Sequence, residues 1–362
     1  MSGGVDSSLA ARLLAEKDYN LRAVYMRNWD RRDELASDTG CEWEKDWEDV
    51  QRVCRHLDIP CEMIDLSQQY WTRVFEPALE EWAGGLLRIL TEIKFGALMD
   101  RVISSPSQEW LATGHYARIF WDETFPVSRP RLMRARDKAK DQSYYLSSVT
   151  ESRLRMALFP IGHLTKPEVR ELARNYGLPT ASRSESMGIC FVGERGHFDK
   201  FLSQYIPSKP GNIVDLHGKI LGRHNGLHSY TIGQGAKLGG QKRKTFVARK
   251  NIATNEVVVV DRGDHPALMS SALTVCNWHW IWPDRIPPEV DTDEGFNAKV
   301  QIRHRMRASE ASVRRTGEGK YELKFREPQH AATPGQIAAI WDGDCCLGCG
   351  RIESSVCLYY SN

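Results

Sequence analysis

The N-terminal part of the chain alternates two hydrophobic periods. Between Ser7 and Lys17, Leu9 and Leu13, and Ala10 and Leu14, stand four residues apart, which predicts an amphipathic helix. The apolar run Leu21–Met26 predicts a strand. Trp43–Leu57 then returns to the helical period, with Trp43, Trp47, Val50, Val53 and Cys54 on one side. Cys61–Leu66 predicts a second strand, Phe95–Ile103 a helix, and Trp110–Thr113 a short strand ending at Gly114-His115. Strands separated by helices at this spacing predict βαβ units and a parallel sheet. Thr165-Lys166-Pro167-Glu168 reads as a capping box opening a helix that runs to Tyr176 and stops at Gly177. Past Ile206, Gly and Pro punctuate short β-like runs: Phe246–Ala248, Val257–Val260, Ala298–Arg307, Tyr321–Phe325, Ile337–Trp341 and Leu347–Ile352. The back half therefore reads as one small β domain and one barrel.

Composition narrows this only slightly. At 362 residues, two or three domains are expected. No apolar run approaches the ~18 residues of a membrane helix. With 49 Lys+Arg against 47 Asp+Glu, a global affinity for polyanions is not expected, which leaves local basic patches. Nine cysteines, an odd and widely spaced set, argue for a reducing compartment in which one thiol does chemistry. The chain opens directly on a loop that normally follows a strand. We therefore expect the first strand to be missing, and any targeting segment with it.

That loop, Ser2-Gly3-Gly4-Val5-Asp6-Ser7-Ser8, is the sharpest chemical signal. Two glycines let backbone approach an anion, and the following helix N-terminus offers unpaired N–H groups to a pyrophosphate. Ser2, Ser7 and Ser8 add hydroxyls, and Asp6 is expected either to cap the helix or to help hold Mg²⁺ between phosphates. Without Gly-Lys-Ser/Thr it is not a Walker A loop. The heptad resembles the loop of the PP-loop ATP pyrophosphatases.

Further segments follow in order: Met26–Asp30, Ile93–Asp100, Thr113–Arg118, Lys140–Leu146, Phe159–Leu164, Gly188–Arg195, Tyr230–Gln234 and Pro334–Gln336. In this order and spacing the chain resembles, over nearly its whole length, the tRNA-specific 2-thiouridylases. The resemblance implies an α/β N-terminal domain with a doubly wound parallel sheet over residues 1–196. A small mostly-β central tRNA-binding domain over 197–258 and a C-terminal β-barrel over 259–362 would follow. It implies ATP at Ser2, Gly3, Gly4, Val5, Asp6, Ser7, Met26 and Gly114, with Mg²⁺. It implies tRNA, through the anticodon stem-loop, at His115, Lys140, Asp141, Gln142 and Gln336, and a flipped wobble base; Arg303, His304 and Arg305 join them as candidate phosphate contacts on their charge alone. Cys190 matches the family's persulfide-carrying cysteine, charged by a sulfur-carrier or cysteine desulfurase-linked donor protein. Arg195 would favour its thiolate if near.

One departure is large. The family places an aspartate and a second, disulfide-forming cysteine in a Pro-Asn-Pro-Asp-x-x-Cys-Asn loop before the Ile-Lys-Phe-Gly helix. Here Gly84–Glu92 has neither, so the expectation is an impaired enzyme. Cys41, Cys54 and Cys61 are the candidate substitutes, but their positions suggest packing. Gln234-Gly235 lacks the family's usual Arg. Arg303, Arg305 and Arg307 alternate, so a strand would place them on one face, as RNA contacts or as a solvated edge. Cys345, Cys346, Cys349 and Cys357 offer a weaker zinc pattern. Two other functions stay open: a different PP-loop ligase, and a non-catalytic tRNA-binding relic. Trp-rich insertions such as Arg31–Trp47 give a eukaryotic look, in which this family works in mitochondria.

Overall fold

The computed structural model describes residues 1–29, 42–83, 93–106, 109–184, 202–236, 238–239 and 243–360. Its chain forms two compact units. The first comprises Met1–Phe75, Leu90–Arg195 and Asp344–Cys346; the second comprises Glu76–Ile89, Gly196–Gly343 and Leu347–Asn362.

In the first unit, α1 (Val5–Ala15) buries Val5, Leu9 and Ala10 among Val169 and Ala173 of α3 (Lys166–Asn175), Tyr116, Ala135, Ile161 and Leu178. Burying a side chain such as Leu9 completely contributes about 1.5–3 kcal/mol. The capping box of α3 is present in both directions, and Gly177 stops the helix with φ +62°. Strands β1 (Ala23–Arg27) and β2 (Cys61–Asp65) pair in parallel, Ala23 opposite Cys61 through Arg27 opposite Asp65. Helix α2 (Glu42–Leu57) covers them with Val50 and Cys54, and Trp47 lies with its ring 5.7 Å from that of Tyr25. β3 (Leu111–Ala112) pairs in parallel with β6 (Ala157–Leu158), so both described strand pairs with intervening helices have the parallel sense expected. β4 (Arg118–Asp122) and β5 (Arg129–Met133) form a hairpin, to which Cys345 and Cys346 add by pairing with Met133 and Leu132. The helix expected over Phe95–Ile103 starts earlier, as a wide π turn at Ile93–Leu98 that passes into a short α-helix at Met99–Val102.

The second unit holds a four-stranded sheet and a barrel. The sheet runs in the order β8 (Ile220–His224), β7 (Gly211–Val214), β10 (Glu256–Val260), β9 (Phe246–Asn251). Six longer strands follow: β11 (Met269–Trp280), β12 (Phe296–Gln301), β13 (Ser309–Gly317), β14 (Lys320–His330), β15 (Ile337–Asp342) and β16 (Cys345–Cys357). They are ordered 11-14-13-12-15-16, and β11 pairs with β16 to close the ring. Val275, Val300, Val313, Leu323 and Ile340, none of them exposed beyond 1 %, fill its interior.

One strand expectation fails. Ala298–Arg307 was expected to be a single strand, but β12 ends at Gln301. The Gln301 side chain donates to the Arg303 carbonyl, Met306 N–H donates to the same carbonyl, and Arg305 takes φ +65°. These local bonds turn the backbone, so Arg303, Arg305 and Arg307 do not share a strand face.

Candidate nucleotide-binding loop

The loop that opens the chain folds back on itself. Ser2 N–H donates to Ser7 Oγ at 3.2 Å, and the two serine hydroxyls lie 3.3 Å apart. The hydroxyls of Ser7 and Ser8 both donate to the Gly4 carbonyl, at 3.1 and 2.9 Å. Gly3 takes φ +69°, a left-handed conformation that a side chain resists. Gly4 is the N-cap of α1, so no side chain satisfies the helix's first N–H groups. This corrects one alternative for Asp6. It does not cap; it sits inside the first turn.

Its carboxylate is engaged elsewhere. Lys166 Nζ lies 2.7 and 2.8 Å from the two Asp6 oxygens, and the Tyr116 hydroxyl donates to one of them at 2.8 Å. The Lys166 ammonium also lies 5.8 Å from the centre of the Tyr116 ring. Lys166 is buried although it opens α3, where the helix dipole disfavours a cation. The Asp6 carboxylate compensates for both.

Gly114 follows β3 and meets the loop backbone to backbone. A Cβ there would lie 2.6 Å from Asp6 C and from Ser7 N. On the loop's other flank, Arg183 Nη1 donates to the Gly3 carbonyl at 2.9 Å, and the same guanidinium pairs with Asp46 and Asp49 of α2. Met26 lies near the end of β1, opposite Ile64. The structure thus brings Ser2–Ser7 and Gly114 into one place. Lys166, Tyr116, Arg183, Asp46 and Asp49 were missed by the sequence reading. The position of Lys166 in the first turn of a helix was a usable signal; nothing local marked the others.

His115, next to Gly114, sits in an aromatic setting, with ring centres 5.7 Å from Phe95 and 6.0 Å from Phe159. Its Nδ1 lies 2.7 Å from Thr113 Oγ1. Burial first, and the Lys94 ammonium second, hold it well below the ordinary 6.5. Below pH 6.5 the unfolded chain gains a proton at this ring that the folded protein refuses, so this contribution to stability is lost as pH falls. His224, also depressed by burial, acts in the same direction. We therefore expect His115→Gln to flatten, without abolishing, the loss of stability between pH 7 and pH 5, as measured by urea unfolding. An unchanged slope would show that this ring is not the titrating group.

Lys140 stands in a turn closed by its N–H on the Asp137 carbonyl at 3.2 Å, while Asp141 and Gln142 are bonded inward. Asp141 is buried, paired with Arg134 Nη1 at 3.0 Å, and accepts from Ala135 N–H and the Ser143 hydroxyl. Gln142 Oε1 accepts from Tyr116 N–H at 3.0 Å. In the second unit, Arg303 Nη2 donates to the Ala331 carbonyl at 2.8 Å and lies 3.4 Å from Thr333 Oγ1. That ties its turn to the one carrying Gln336, which is buried and bonded to Thr333 and Ile352 through its backbone. His304 and Arg305 stand in the Arg303 turn. Cys190, Arg195 and the Gly84–Glu92 stretch lie outside the described residues. Cys54, Cys61, Cys276, Cys345, Cys346, Cys349 and Cys357 are free thiols. Among the described residues no helix is long and apolar enough to cross a membrane.

Residues 1–194 match the family described as the tRNA methyl transferase HUP domain. Residues 199–261 match the tRNA methyl transferase PRC-barrel domain, and residues 270–352 the aminomethyltransferase beta-barrel domain. The expected order of an α/β nucleotide-binding fold, a small β domain and a barrel therefore holds, as a Rossmann-like HUP domain, a PRC-barrel and a six-stranded barrel. The chain is similar to the tRNA-specific 2-thiouridylase MnmA of Oceanobacillus iheyensis, 39 % identical over 98 % of this chain and 94 % of that protein. It is similar to the proteins of the same name from Bacillus subtilis, at 40 % identity over 98 % and 93 %, and Streptococcus thermophilus, at 39 % over 99 % and 96 %.

Proposed function

The chain belongs to the tRNA-specific 2-thiouridylase family, and from that premise we propose that it replaces the C2 oxygen of the tRNA wobble uridine with sulfur, using ATP. The observation that carries this reading is the loop at Ser2–Ser7. It is glycine-bent, lacks a side-chain cap, opens a helix and lies against Gly114 without room for a Cβ. Backbone N–H groups so arranged suit the phosphates of a nucleotide.

In this reading the uridine O2 attacks the α-phosphorus of ATP, the bond to pyrophosphate breaks, and the adenylated oxygen becomes a leaving group. The terminal sulfur of a persulfide on Cys190 then attacks C2 and AMP departs with the oxygen. The sulfur–sulfur bond must finally be cleaved by a thiol. Where the family uses its second cysteine, Gly84–Glu92 supplies none, so we propose that an external dithiol takes that part. Mg²⁺ enters with the phosphates of the nucleotide. The Asp6 carboxylate, already engaged by Lys166 and Tyr116, serves to brace the loop. His115, Lys140–Gln142, Arg303–Arg305 and Gln336 remain the proposed tRNA contacts, and 1–196, 197–258 and 259–362 the proposed domains. The relatives named above are bacterial, so the mitochondrial placement expected from the Trp-rich insertions draws no support from them.

The test uses purified protein, unmodified tRNA, ATP and a persulfide donor. Pyrophosphate release is expected to require tRNA, and 2-thiouridine detected by mass spectrometry is expected to accumulate over many turnovers only with added dithiol. Cys190→Ser is expected to keep the first readout and lose the second. Pyrophosphate release without tRNA would favour another ligase of the superfamily, and tRNA binding without pyrophosphate release would favour a relic.

A further inference from the structure

We infer that Arg183 is a positioning residue of the nucleotide loop: it fixes the Gly3 carbonyl and so sets the direction in which the next amide points. The inference rests on the reading of that loop as the ATP site.

Arg183 is anchored at both ends. Its N–H donates to the Thr180 carbonyl at 3.0 Å, and its own carbonyl accepts from Arg170 Nη1 of α3 at 3.2 Å. The guanidinium is then filled from two sides. Asp46 and Asp49 stand three residues apart on α2, hence on one face, and each takes one of its terminal nitrogens. Asp49 is buried, so this pairing is shielded from water. The Gly3 carbonyl completes the set at 2.9 Å. Asp49 is shared with Arg52 on the same helix, so two carboxylates and two guanidinium groups form one cluster, which holds Arg183 in place more firmly than a carbonyl alone would.

The consequence for the loop follows from peptide geometry. Across a trans peptide the carbonyl of one residue and the N–H of the next point in opposite directions. With the Gly3 carbonyl held toward Arg183, Gly4 N–H is turned to the other side of the loop. Among the described residues that amide makes no hydrogen bond. The absence of a side chain at Gly3 is what lets Arg183 come this close: a Cβ there would lie 2.8 Å from Arg183 Nη1 and 2.7 Å from the Asp46 carbonyl. Arg183 therefore acts through backbone, without touching the nucleotide. Lysine, a point charge without a planar fork, cannot serve all three acceptors.

The experiment measures KM for ATP, tRNA affinity and melting temperature for wild type, Arg183→Ala and Arg183→Lys, with exposed Arg326→Ala as a control. Arg183→Ala is expected to raise KM for ATP about tenfold and to lower the melting temperature, because it strands Asp46 and the buried Asp49, with tRNA affinity nearly unchanged. Added guanidinium ion is expected to restore part of the ATP affinity, and methylammonium none. Arg183→Lys should fall between. An unchanged KM for ATP overturns the inference. So does a parallel loss of ATP affinity and tRNA affinity, which would mark Arg183 as merely structural. Should Arg183→Ala not fold, Asp46→Asn, which keeps an acceptor but weakens the grip, is expected to raise KM for ATP about threefold and overturns the inference if it does not. A wild-type protein without any tRNA-dependent ATP turnover would instead overturn the ATP-site reading itself.

Discussion

Gly114→Ala is expected to lower kcat/KM for ATP by about a hundredfold while leaving the second unit folded. The cause is space rather than backbone conformation. The added methyl group would stand 2.6 Å from Asp6 C and Ser7 N and 2.9 Å from Asp6 O, all of them backbone atoms. A flexible side chain would swing aside; the first turn of a helix cannot. Either the end of β3 or the loop must retreat by most of an ångström, and an error of that size at a reacting group costs about two orders of magnitude. Steady-state kinetics across ATP concentrations will show it, with circular dichroism reporting the fold. A variant with the kinetics of the wild type would mean that the β3 end and the loop do not cooperate in binding the nucleotide.

Lys166→Met should cost both stability and activity. It removes the ammonium from Asp6 and leaves the carboxylate with the Tyr116 hydroxyl alone. Breaking a fully buried pair costs about 3–5 kcal/mol. The Asp6 side chain is 32 % exposed, so water takes part of the load and about 2 kcal/mol is expected. The loop that loses its brace should lose about a hundredfold in pyrophosphate release. Adding Asp6→Asn should recover much of the stability, because the stranded charge is gone, and none of the activity. Denaturant unfolding and the pyrophosphate assay, run on the single and double variants, separate the two effects. Full recovery of activity in the double variant would show that the pair serves stability alone.

The sequence announces some of this and withholds the rest for physical reasons. The helices at Val5–Ala15 and Lys166–Asn175 were legible because a cap or glycine bend, a periodic apolar face and, for the second, a glycine stop all agree locally. The short strands β1, β2 and β3 were legible to within a few residues for the same reason. The end of β12 was not. Alternating arginines look like a strand, and only the Gln301 side chain reaching the Arg303 carbonyl breaks the pattern. The chemistry of the opening loop could be read from its two glycines and serines. Its supports could not: Arg183 meets Gly3, and Lys166 meets Asp6, across 180 and 160 residues of chain. Asp141 is hydrophilic in composition and buried in fact, because a backbone N–H and an arginine wait for it inside, and half-buried Gln142 is held by the Tyr116 N–H.

The closed ring of six strands carries one more consequence. An open sheet would expose rows of backbone donors and acceptors along β11 and β16, the two longest strands, but here each completes the other. A newly made or heat-stressed neighbour therefore finds no free rim on this barrel to zip against. Resistance to self-association in this part of the molecule comes from topology, and charge on its outer surface is left free for other purposes.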